Sequence, residues 1–372
     1  MNELHGGAAE LRPIGEIARY IKKLIAADIP ERFSLKPTFL EIANEDKIFA
    51  GVAAFKDFLR QFCDRLETDG NLYAKPPKNP KSAADYPFLN YVINLLIEIG
   101  YYGSLSEDGE ALSVSRIPSF SPSADKNGKI RKPKVPASGQ LDCLRFLTLC
   151  GMAFKNADFE SKALSINETN PLIVGYPSDP LMPVGLKAMA AAEIKLKERR
   201  YWNDHSFLRC DYRLLLAGDF DPADSLADLL YTLPEPVRDF AMNLHRRYVG
   251  RAMTCVAVND DKYHFAYSFV KKSKRTLTAR DIYYLRVWEF ACSLREGFRL
   301  VIRAKKIGRY AGAAARFSPY LREIIARGYG CDVRLRGERC QGGCQGFKIP
   351  MDETMLSVSG DIEAWLDYET AL

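Results

Sequence analysis

Histidine is scarce in this 372-residue chain, four in all, and none follows His264. The motifs that announce nucleotide or nucleophile chemistry are missing as well. There is no P-loop, no dinucleotide fingerprint set between a strand and a helix, no G-x-S-x-G and no H-E-x-x-H, so no mechanism has a residue to rest on. No apolar run is long enough to cross a bilayer. The opening stretch MNELHGGAAELRP lacks the basic-then-apolar layout of a secretion signal, and the expectation is a cytoplasmic protein with no membrane partner. The cysteine count is odd, nine, and Cys63, Cys143, Cys150, Cys210, Cys255 and Cys292 each stand singly in apolar or mixed surroundings. That is how reduced core thiols are placed, and a disulfide framework is not expected. Strong charge is absent too: a net +6 is mildly basic, which permits nucleic-acid binding without requiring it.

What is present is most legible in residues 286–306. Trp288, Phe290, Cys292 and Leu294 alternate with polar or small residues, and Phe298, Leu300, Ile302 and Ala304 do the same, the period of two that half-buried strands show. A three-residue loop, Arg295-Glu296-Gly297 with the glycine left-handed, would pair Leu294 with Phe298, Cys292 with Leu300, Phe290 with Ile302 and Trp288 with Ala304. The opposite face would then set Glu289 across from Arg303 and Ser293 beside Arg299. Two further strands, 252–258 and 263–270, extend this hairpin to a four-stranded antiparallel sheet, with Tyr263, Phe265, Tyr267 and Phe269 on one face.

Upstream the chain is mainly helical. Ile14, Ile17, Ala18, Ile21, Leu24 and Ile25 recur at helical spacing, and a second pattern runs from about Ile48 to Leu66, stopped by Thr68-Asp69-Gly70. A third helix, FLNYVINLLIEIG, ends at Gly100 and is followed by the turn SEDGE and the strand ALSVS (111–115). The order recurs as LDCLRFLTLCG (141–151), a polar interval and ALSIN (163–167), a pattern that suits an internal repeat of winged-helix-like modules. Helices are also expected from about Val184, from Pro222, from Glu235-Pro236, at 309–317, from Pro319, and at 361–372, where Ile362, Trp365 and Leu366 can cover the sheet.

A chain of this length exceeds what one core serves. The reading is therefore an α+β, multidomain protein with a helical, winged-helix-like region over 1–115, a basic flexible loop over 116–140, a second helix-strand unit and helical connector over 141–235, and a C-terminal antiparallel sheet flanked by helices over 236–372.

Two stretches hold candidate sites. The first is the Pro-, Ser- and Lys-rich interval between the two copies, where Lys126, Lys129, Arg131, Lys132 and Lys134 face a lone Asp125. It buries too little apolar surface to offset its ordering entropy and reads as a mobile arm for phosphates. Lys271, Lys272, Lys274, Arg299, Arg303 and Lys305 would add a basic sheet edge. The second is GCDVRLRGERCQGGCQGFKIP (330–350), in which Cys331, Cys340 and Cys344 form C-x8-C-x3-C among glycines. That spacing lets two thiolates reach one zinc, with Cys292 or Asp332 as a fourth ligand. A glycine-rich hairpin with buried cysteines, or a redox pair of Cys340 and Cys344, are the other readings. His205, beside Asp204 and near Asp211, reads as a surface or capping residue rather than a base.

From about Met253 onward, the two hairpins, the strand RLVIRAKK, the helix opened by Tyr310-Ala311, the helix with Pro319 at its start and the Cys- and Gly-rich hairpin resemble a group of uncharacterised bacterial proteins, chiefly from Firmicutes. More distantly they resemble MmcQ/YjbR-like domains. That resemblance implies a compact antiparallel sheet with flanking helices, for which DNA binding has been proposed in some relatives; the cysteine-rich hairpin departs from the simplest members. The resulting expectation is a non-enzymatic, DNA-binding regulatory or accessory factor. A scaffold for acidic protein partners is the alternative, and an enzyme or redox protein built on the cysteines comes third.

Overall fold

The structure, a computed structural model, describes residues 13–26, 28–76, 86–124, 128–160, 164–198, 207–217, 222–249, 253–258, 264–271, 285–293, 297–304, 307–327 and 346–371. The fold is α+β and divides into two compact units, Met1–Phe220 and Asp221–Leu372. Pro222–Leu230 packs on Glu235–Tyr248 and on Met253–Val258, so it belongs with the second unit.

The first unit is built on helices α1 (Ile14–Leu24), α2 (Glu45–Tyr73), α3 (Pro87–Tyr102), α4 (Ala137–Leu149) and α5 (Met182–Glu198). α1 buries Ile14, Ile17, Ala18, Ile21 and Leu24, the apolar stripe read from the sequence. Its outer face reaches α2 through Arg19–Glu67 (2.8 Å) and Lys22–Asp64 (2.5 Å). α2 starts at a real cap, the Asn44 side chain accepting from the Lys47 amide. It does not stop at Gly70 as the pattern suggests, but continues to Tyr73. A Cβ on Gly70 would sit 3.2 Å from both Ile14 and Leu66, so the glycine makes room for α1 rather than breaking the helix. α5 packs against both α2 and α3 at backbone distance: a Cβ on Gly185 would lie 1.9 Å from the Gly51 carbonyl oxygen, and one on Gly100 would lie 2.6 Å from that of Leu186.

Strands β1 (Ser104–Leu105), β2 (Ala111–Val114), β5 (Ala153–Lys155) and β6 (Leu172–Gly175) form one sheet in the order β1-β2-β6-β5. All pairs are antiparallel, with Leu105↔Leu112, Leu112↔Val174 and Phe154↔Val174 in register. A local two-fold through the Leu112↔Val174 pair therefore exchanges the two hairpins: Ala111↔Gly175 becomes Ser113↔Ile173. Each hairpin follows a helix, α3 or α4, so the repeat is one of helix plus hairpin. Its second copy uses LIVG, not ALSIN. Residues 164–167 form no strand, and their place is taken by a turn in which Asn167 Oδ1 accepts from the Thr169 and Asn170 amides. No residue of α3 from Pro87 to Gly100 is exposed, so this helix offers no face to a nucleic-acid groove.

The second unit adds α6 (Pro222–Leu230), α7 (Glu235–Tyr248), α8 (Ala311–Ala314), α9 (Pro319–Arg327), α10 (Glu353–Ser357) and α11 (Ser359–Ala371) around a five-stranded antiparallel sheet. The strands are β7 (Met253–Val258), β8 (His264–Lys271), β9 (Arg286–Ser293), β10 (Gly297–Ile302) and β11 (Phe347–Pro350), ordered β11-β10-β9-β8-β7. Four strands are expected from the sequence; the fifth, FKIP, is short and follows a glycine-rich run that masks it. The hairpin forms with its apolar rows on one face, shifted by two residues from the sequence reading: Phe298 pairs with Cys292, Leu300 with Phe290 and Ile302 with Trp288. β9 ends at Ser293, and Gly297, at φ +62°, opens the second strand. The register carries a row across all five strands, Cys255, Phe269, Trp288, Ile302 and Phe347. Trp288 stacks on Phe269 at 4.3 Å, Tyr248 of α7 meets Trp288 at 4.8 Å, and Trp365 of α11 meets Phe347 at 5.4 Å.

Candidate functional site

The interval 116–140 is not a free arm. Ile117 and Val135 are 2% and 1% exposed, and the Val135 amide donates to the Ser119 carbonyl at 3.0 Å. The Gln140 side chain donates to the carbonyls of Phe120 and Val135, and the Ser119 amide donates to Glu98 of α3 at 3.0 Å. The two ends are thus clasped to the helices. Above the clasp the chain forms a two-stranded antiparallel ribbon, β3 (Ser123–Ala124) with β4 (Ile130–Arg131), in the register Ser123↔Arg131 and Ala124↔Ile130. The reading of 116–140 as a basic flexible loop gave these ends no anchor. Composition missed two apolar residues, Ile117 and Val135, spaced so that both reach the core from either side of the charged run.

Lys129, Arg131, Lys132 and Lys134 are all exposed on this ribbon and its exit, and the chain from Gly128 to Pro136 contains no acidic residue. Ile130 is 76% exposed. Lys126 lies outside the described residues.

Of the basic sheet edge, the side chains of Arg299 and Arg303 are described, and both are buried. Arg299 and Arg303 are 6% and 8% exposed, and Glu289 is 1% exposed. Both oxygens of the Glu289 carboxylate accept from guanidiniums, one from Arg286 at 2.9 Å and the other from Arg303. On β9 and β10 the second face of the sheet is thus buried, with Ala291 and Val301 each at 1%, and Arg299 and Arg303 are withdrawn from solvent there. The Glu289–Arg303 contact itself is present; its solvation is what alternation does not reveal, because a covered polar face and a wet one alternate alike. Lys271 closes β8 opposite Met253. Lys272, Lys274, Lys305, Cys331, Asp332, Cys340, Cys344 and His205 lie outside the described residues. Among the described residues, no group of three or more His, Cys, Asp or Glu side chains is placed to hold a metal. Cys292 sits buried on the aromatic face, opposite Phe265 and Phe298, and Asp211 is buried between Arg209 and Arg213.

A third constellation went unread in the sequence. The Tyr310 hydroxyl donates to Glu369 at 2.5 Å and accepts from Trp365 Nε1 at 2.9 Å; burial, then the bond to Glu369, pushes the phenol well above its ordinary range. Tyr248 donates to Asp367 at 2.6 Å, and Arg247 reaches Glu363 and Asp367. These groups fasten α11 to its neighbours. Their only sequence signal is the acid spacing Glu363, Asp367 and Glu369, which a solvated helix would share. Tyr310, Trp365 and Glu369 are buried, while Arg247, Glu363 and Asp367 lie at the rim of the set, partly open to solvent.

Comparison with protein-family models, with curated proteins and with solved structures finds no match. The resemblance to the MmcQ/YjbR-like domains rests on sequence pattern alone. Among the described candidates, the ribbon is the place where several charged groups project from a held backbone.

Proposed function

We propose that the chain is a non-enzymatic, nucleic-acid-binding accessory factor that takes phosphates along the β3–β4 ribbon. The observation that supports this is the clasped ribbon with Lys129, Arg131, Lys132 and Lys134 exposed and Asp125 the lone acid of the interval. A cationic strand pair held at its base loses less entropy on meeting a phosphate backbone than a free loop would. The same array placed on a flexible coil would read as a solubility device.

Four phosphate contacts give a slope of about −3.6 in a plot of log affinity against log salt for duplex DNA. The test is fluorescence anisotropy of a labelled generic duplex with the full chain across a salt series. Replacing Lys132 and Lys134 together by Ala reduces the slope by about 1.8 if both meet phosphate. Absence of binding at low salt, binding indifferent to salt, or binding confined to acidic polypeptides each overturns the reading.

A further inference from the structure

The ribbon holds a residue that phosphate binding does not use. Ile130 lies in β4 between Lys129 and Arg131 and is 76% exposed, whereas the two other aliphatic β-branched residues of the interval, Ile117 and Val135, are 2% and 1% exposed. The clasp takes up the apolar groups at the base and leaves this one near the turn. In a strand, successive side chains point to opposite sides, so Ile130 projects away from Arg131, with a cation on each side of it along the chain. A partner that fits this arrangement must offer an apolar slot bracketed by negative charge.

We propose that Ile130 is a wedge that enters between stacked base pairs of duplex DNA while the flanking cations hold the phosphates on either side. The inference rests on the nucleic-acid reading above and adds the substrate class: a duplex that can be opened at one step and bent. A stack of base pairs flanked by two rows of phosphates is such a slot, and apolar side chains inserted between base steps kink the duplex and are recovered as contact area. Flexible pyrimidine–purine steps, TA above all, open at the least cost and are the preferred sites. An anionic membrane also presents apolar matter behind negative charge. One buried isoleucine is too little for it, since stable membrane attachment takes more than a single short apolar insertion, whereas one wedge suffices to kink DNA. Wedges of this kind enter from the minor groove, and in A-form RNA that groove is wide, shallow and read through shape and 2′-hydroxyl contacts instead.

The full chain is titrated into a duplex with a central TA step and a fluorophore at each end, energy transfer reporting the bend and anisotropy the affinity. The expected result is a rise in energy transfer on binding. In Ile130→Ala and Ile130→Ser the rise is lost and affinity falls by about tenfold, the equivalent of one partly buried apolar side chain, with the salt slope unchanged. Neither variant removes a core contact, and matching thermal melts confirm that both remain folded. If the wild-type chain binds DNA with the expected salt slope but the duplex stays straight, the wedge is overturned and the phosphate reading stands. If it binds double-stranded RNA of the same sequence equally well, or binds anionic phospholipid vesicles more tightly than DNA in an Ile130-dependent way, the wedge is overturned. If it shows no salt-dependent affinity for DNA, both readings fall together.

Discussion

Glu289 sits on a central strand, 1% exposed, with guanidiniums from Arg286 and Arg303 on its two oxygens. Taking a carboxylate out of water costs several kcal/mol, which this pairing offsets. Glu289→Gln would leave both cations buried without their carboxylate and is expected to cost about 3–5 kcal/mol in urea unfolding. Arg19→Ala, which breaks an exposed pair with Glu67, should cost less than about 1 kcal/mol in the same assay. Two glycines separate in a similar way. Gly185→Ala drives a methyl into the Gly51 carbonyl and is expected to cost about 3 kcal/mol or more, because neither helix backbone can give way. Gly297→Ala meets nothing within 4 Å, and only its φ of +62° opposes it, for about 1–2 kcal/mol. The left-handed conformation of Gly297 was legible in the sequence, although the residue begins a strand. Gly51, Gly70, Gly100 and Gly185 were not, since close helix approach depends on a partner far along the chain.

At the scale of the element, periodic stretches were readable. α1, α3, α7 and the strands β7 to β10 arise where apolar spacing places them. What failed was what periodicity does not encode: LIVG displaced ALSIN because the second hairpin has a long connection, and FKIP joined the sheet edge with only four residues. The clasped ribbon was half legible, its charge visible and its anchors hidden in a run of prolines and serines. Helix α11 carries a prediction here. Tyr310 and Tyr248 both have phenols raised by burial and by hydrogen bonds to Glu369 and Asp367. A raised folded-state value means that their contribution is complete below the unfolded phenol's value of about 10 and is lost as pH climbs beyond it. Thermal stability should therefore decline above about pH 10. Tyr310→Phe is expected to flatten that decline while costing about 1–3 kcal/mol near neutrality by removing a buried hydrogen bond to Glu369. A wild-type melting temperature that is level through this range would refute the assignment.

For the whole molecule, each of the two units has its own sheet and its own helices, so each should fold alone. Fragments 1–220 and 221–372 are expected to melt cooperatively when made separately, read by circular dichroism. Cys63, Cys143, Cys150 and Cys210 are buried, and burial raises each thiol out of the reactive range. In the native protein they should resist alkylation until denaturant is added, which peptide mapping by mass spectrometry would detect. The division into α and β regions was visible in composition and periodicity; the place of the cut was not. The residues around Asp221 read as a helix start in either unit, and only packing assigns that helix to the second.

The exchange of hairpins about the Leu112↔Val174 pair has one more outcome. Two identical chains meeting across an isologous contact would produce this same arrangement of strands, and here a single polypeptide supplies both partners. Fusing such halves requires a tether between the first hairpin and the second helix, and the two-fold provides no twin for it. That tether is the stretch bearing Ile130 and its lysines: the symmetric sheet sets the platform, and an asymmetric strap is left to meet the outside world.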